Sequence, residues 1–67
     1  MNFPQFDDQQ LDSFQIVHDN SGPRCAYAFY LGRGNYMTET ADLDTLAVED
    51  FCIEFYTQYN RRFGVRY

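Results

Sequence analysis

Between Asp44 and Phe63 (DTLAVEDFCIEFYTQYNRRF) the apolar residues return with a helical period. At about 100° per residue, Val48, Phe51, Cys52, Phe55, Tyr56, Tyr59 and Phe63 share one arc about 140° wide. Thr57, Asp50, Arg61, Glu54 and Asn60 share the opposite arc. The spacing predicts an amphipathic helix packed on a core. Leu46 and Ile53 lie a heptad apart and both fall in the polar arc, as lone surface apolar residues or as a small partner-facing strip. Asp44 or Thr45 supplies an N-cap oxygen, Glu49 and Asp50 lie toward the positive end of the helix dipole and Arg61 and Arg62 at its negative end. Gly64 is suited to a positive φ and stops the helix.

Shorter patterns precede it. From Ser13 to His18 the residues alternate, with Phe14, Ile16 and His18 on one side and Ser13, Gln15 and Val17 on the other, which reads as a strand. Asp19-Asn20-Ser21-Gly22-Pro23 is a dense turn cluster. Cys25, Tyr27, Phe29 and Leu31 then alternate with Ala26, Ala28 and Tyr30, a second and more apolar strand. Gly32-Arg33-Gly34-Asn35 makes a tight connection, and Tyr36 to Ala41 resumes the alternation. The expected fold class is α+β: a three-stranded antiparallel meander packed against one long C-terminal helix. Val65-Arg66-Tyr67 is a tail or a fourth, edge strand. Residues 1–11 read as a short helical turn or an irregular arm, in which Phe3 and Phe6 must dock on the domain or on a partner if the arm is ordered, or as a frayed terminus. The chain reads as a single domain over residues 1–67, with no internal repeat or linker.

Composition changes the picture in two ways. A chain of 67 residues buries only about 60% of its unfolded surface, and its six tyrosines and seven phenylalanines offset part of that shortfall. The remainder points to a homodimer or a bound partner. Ten carboxylates face five arginines and no lysine, for a net charge of −5. That balance argues against direct nucleic-acid binding, which neutralises phosphates with many basic residues. It fits solubility or steering toward a basic surface. No apolar run approaches the roughly 20 residues that cross a bilayer, and MNFPQFDD has no signal-peptide pattern. The expectation is a soluble, cytoplasmic chain without a membrane partner. Cys25 and Cys52 form no CxxC pair and are expected as buried free thiols, with a disulfide as the alternative.

Candidate chemistry is sparse. Cys52 and the single His18 could form a thiolate pair, yet Cys52 falls on the buried arc, where a reactive thiol is not expected. Asp7, Asp8 and Asp12 lack the glycine and distal glutamate of a calcium loop, and two cysteines with one histidine do not complete a zinc site. Gly32-Arg33-Gly34 lacks the helix and further glycines of a phosphate loop. No catalytic residue, metal site or cofactor is expected. What remains is surface: Asp42, Asp44, Glu49, Asp50 and Glu54 form an acidic helix start and flank, with Leu46 and Ile53 as apolar intruders, while Arg61, Arg62 and Arg66 collect at the far end. Tyr30 and Tyr36 are expected as exposed anchors, with Arg33 exposed on its turn.

A small, acidic, aromatic-rich chain of this architecture resembles the proteins that phages encode to block host enzymes and defence systems, anti-CRISPR proteins among them. The resemblance covers size, charge and architecture over the whole chain and rests on no motif. It implies a protein–protein interaction module, an inhibitor acting in the host cytoplasm on a larger protein with a basic surface, such as a nucleic-acid-binding host protein. The stretch Asp42 to Glu54 would then imitate phosphates, a charge that Arg61, Arg62 and Arg66 dilute. The alternative is a homo-oligomeric structural or assembly subunit.

Overall fold

A computed structural model describes residues 3–64, and these form helices and connecting segments with no strand among them. The helices are α1 (Asp8–Ser21), α2 (Pro23–Tyr30) and α3 (Thr45–Phe63). The expected meander is therefore wrong: both stretches read as its first two strands are helical, and the third, Tyr36 to Ala41, consists of turns. Val65-Arg66-Tyr67, read as a tail or edge strand, lies outside the described residues.

The reason is visible in burial. On a strand Phe14 and Ile16 would share a face, but Phe14 is 3% and Ile16 61% exposed. Leu11, Phe14, Gln15 and His18, spaced three and four apart, line the covered side instead. The helical period becomes legible only when Leu11 is included. A second sign is the start signal: Asp7 Oδ1 accepts from the Gln10 N–H at 2.8 Å and Gln10 Oε1 accepts from the Asp7 N–H at 3.0 Å, a reciprocal capping box. In α2, four consecutive residues from Cys25 to Ala28 are buried, which no one-sided strand allows. Pro23 at the first helical position and the alanines suit a helix.

The expected turn cluster shrinks to one residue. Asp19 to Ser21 continue α1, and Gly22, at φ 94°, closes α1 and opens α2. Its N–H donates to the His18 carbonyl at 3.0 Å and its carbonyl accepts from the Ala26 N–H at 3.1 Å. An L-residue rarely takes that φ. The two helices are thus joined by one left-handed hinge.

Helix α3 matches the sequence expectation in its extent and caps, but Phe63, read on the core arc, is 45% exposed, and the buried polar Gln58 takes a place the arc did not include. Asp44 caps it, with Oδ1 accepting from the Leu46 N–H at 2.9 Å. Gly64, at φ 91°, ends it, and Arg61 and Arg62 occupy its last turn. Arg62 clasps Asp8 with two hydrogen bonds of 2.6 and 3.1 Å, while His18 meets Phe55 and Tyr56. Helix α1 thus runs antiparallel to α3.

Residues 3–7 are irregular, while Asp8 to Leu11, read as part of the same arm, open α1; Phe3 and Phe6 dock on the domain's own core. Phe6 is 3% exposed and packs on Phe14, Tyr30 and Phe51. The buried Gln58 of α3 pins this segment: its Oε1 accepts from the Phe6 N–H at 2.7 Å and its Nε2 donates to the Pro4 carbonyl at 3.0 Å. Gln15 is also buried; its Nε2 donates to Asp19, and its Oε1 has no partner among the described residues, for which nothing in the structure gives a reason.

The connector between α2 and α3 has no regular structure, yet side chains hold it. The Arg24 guanidinium donates to the carbonyls of Thr40 and Leu43, and Leu43 is buried beneath it. A hydrogen bond from a charged group contributes about 1.5–3 kcal/mol. Arg24→Ala is expected to lower stability by a comparable amount and to speed proteolytic nicking between Gly32 and Asp42. Unchanged nicking rates in limited proteolysis would show that the connector does not depend on Arg24.

Candidate functional site

The structure separates the residues picked out from the sequence into three groups. The first has structural work. Asp44 is the α3 cap. Asp42 accepts from Arg33 Nη1 at 2.8 Å, closing the connector on itself, and Arg33 also donates to the Glu39 carbonyl. That hydrogen bond, and behind it the guanidinium charge, hold the Asp42 carboxyl below its ordinary value of 3.8. Arg33 is accordingly a brace within the connector. Glu54 is half-buried and accepts from Gln58 at 3.3 Å.

The second group is aromatic. Tyr30 and Tyr36 are half-buried, which corrects the expectation that they stand exposed as anchors. Tyr30 lies against Phe3, Phe6, Phe14, Tyr27 and Phe51. Tyr36 packs edge-on against Phe29 at 5.4 Å.

The third group is surface. Leu46 and Ile53 project outward, at 68% and 66% exposure, as their place in the polar arc required. Glu49 lies between them on the same face of α3, and Asp50 is exposed beside it. Ile53 and Glu49 also form one wall of an open groove of about 420 Å³, completed by His18, Pro23, Val48 and Cys52. The groove forms where the end of α1 and the start of α2 meet the first half of α3, and carbon dominates its surface. Only its participation in α3 was legible in the sequence; His18 and Pro23 arrive through the Gly22 hinge, which a strand reading places elsewhere.

The groove brings Cys52 and His18 to one place, but the chemistry of a thiolate pair is not assembled. Burial pushes the Cys52 thiol above its ordinary value, which favours the protonated form. The His18 Nδ1 is 3.0 Å from the Tyr56 hydroxyl and 3.8 Å from the Asp19 carboxylate. Cys25 is buried and Cys52 half-buried, and both are free thiols. Among the described residues no group of three His, Cys, Asp or Glu side chains is placed to hold a metal ion.

A second depression, of about 510 Å³, lies between residues 5–9 and Arg62. Its arginine is already paired with Asp8. No described helix is long and apolar enough to cross a membrane. Compared with protein-family models, curated proteins and solved structures, the chain shows no match.

Proposed function

We propose that the chain is a protein–protein interaction module, an acidic inhibitor or modulator that covers a functional surface of a larger protein through the outward face of α3. The observation that carries this reading is the exposure of Leu46 and Ile53 one heptad apart, at 68% and 66%, beside an apolar groove. Fully burying such a side chain contributes about 1.5–3 kcal/mol, which the isolated domain forgoes and a partner recovers. Glu49 and Asp50 stand next to the two aliphatic residues and steer the face toward a basic surface, including that of a nucleic-acid-binding protein. Asp42 and Asp44 are set aside as steering residues because the connector and the α3 cap depend on them.

Leu46→Asp with Ile53→Asp is expected to abolish capture of the partner from a lysate. Both positions are on the surface, so stability should change by no more than about 0.5 kcal/mol per site. Glu49→Gln with Asp50→Asn is expected to slow association at low salt and to matter little at high salt. Retention of the same partners by the double aspartate variant would remove the reading. The same face would serve a homo-oligomeric assembly subunit, and sedimentation at two concentrations separates that case, since self-association needs no partner.

A further inference from the structure

We infer that the groove walled by His18, Pro23, Val48, Glu49, Cys52 and Ile53 receives an apolar side chain from a basic amphipathic helix of a second protein. This deepens the interaction reading above and rests on it. Three observations choose the occupant. The first is charge. Glu49 lines the groove and Asp19 sits beside His18, Asp50 adjoins Glu49, and no arginine lines the groove. The nearest in sequence, Arg24, is turned to the carbonyls of Thr40 and Leu43. A segment entering this groove therefore gains by carrying cations around its apolar anchor.

The second is spacing. Leu46 and Ile53 are seven residues apart, about 10 Å along the helix, and a partner helix matches that interval with its own apolar residues at the same spacing. No strand edge occurs among the described residues, so strand addition has no template here. The third bears on self-association. A two-fold contact through α3 puts this patch against the same patch of a second copy, so the carboxylates of Glu49 and Asp50 from both copies gather in one interface, an unfavourable clustering of like charges. A second copy is thus the poorer occupant.

The test uses the full chain and two short amphipathic helical peptides, one of leucine and lysine and one of leucine and glutamate, with binding read by fluorescence anisotropy. The Leu/Lys peptide is expected to bind and to shield Cys52 from N-ethylmaleimide, with buried Cys25 unlabelled throughout. Alkylating Cys52 beforehand should weaken the peptide by about tenfold or more, or about 1.4 kcal/mol, with an unchanged circular dichroism spectrum. Glu49→Lys, an exposed position that does not threaten the fold, should move the preference toward the Leu/Glu peptide. Equal binding before and after alkylation, combined with loss in the Leu46→Asp, Ile53→Asp variant, overturns the groove inference and leaves the interaction face standing. Binding that neither change affects overturns both. A concentration-dependent dimer in which Cys52 is shielded without any peptide assigns the groove to a second copy and overturns the inference.

Discussion

Phe51→Ala is expected to unfold the protein. Phe51 is 0% exposed and sits in α3 where α1, α2 and residues 3–7 converge. Its ring lies 5.1 Å from Tyr30, 5.4 Å from Phe14 and Tyr27, 5.8 Å from Phe3, 6.0 Å from Phe6 and 6.2 Å from Phe55. Removing a buried phenylalanine side chain typically costs about 3–5 kcal/mol, partly for the lost transfer energy and partly for the cavity left behind. Aromatic pairs at such distances contribute about 0.5–1.5 kcal/mol beyond area. A single core below roughly 70 residues rarely supplies more than 3–5 kcal/mol in total, so the loss is of the size of the whole. The near-ultraviolet circular dichroism and the cooperative urea transition should both disappear. Phe51→Leu keeps most of the volume and should fold with a lower midpoint. A cooperative transition near the wild-type midpoint in Phe51→Ala would show that the aromatic cluster is not what holds the three helices.

Gln58→Leu has the second largest expected effect. The Gln58 amide serves residues 3–7 as a neighbouring strand would, accepting from the Phe6 N–H and donating to the Pro4 carbonyl. Leucine fills a similar space and offers neither bond. Pro4 is exposed, so water can serve its carbonyl, but Phe6 is buried and its N–H loses its acceptor. An unsatisfied buried donor costs about 1–3 kcal/mol. The urea midpoint should fall accordingly, and hydrogen exchange at the Phe6 amide should accelerate more than exchange within α1. Exchange at Phe6 that does not change in Gln58→Leu would show that ring packing alone docks the segment.

These two residues mark what could and could not be read in advance. Phe51 sits in the middle of a long, regular apolar period and announces itself as core. Gln58 lies just outside the edge of that arc as a polar residue, and nothing in its neighbours tells of a partner more than fifty positions away. The same division runs through the helices. Nineteen residues of α3 contain enough turns for period, cap and terminating glycine to agree. The eight residues of α2 are apolar on nearly every side, and a short apolar run has no period with which to distinguish helix from strand. In α1 a six-residue window alternated by accident, although Asp7 and Gln10 carried a capping signature at its start.

By itself, then, the sequence determined α3 with its caps and most of its buried and exposed faces, the outward placement of Leu46 and Ile53, and the excess of carboxylates. These follow from local spacing and from residue chemistry, which act over a few turns of chain. Tertiary structure alone decided that the first half is helical, that Arg33 and Asp42 brace each other, that Tyr30 and Tyr36 turn inward, and that His18 and Pro23 complete a groove with Val48, Glu49, Cys52 and Ile53. Each of those depends on which distant surfaces cover one another. The groove in particular exists only because the Gly22 hinge returns the chain against α3.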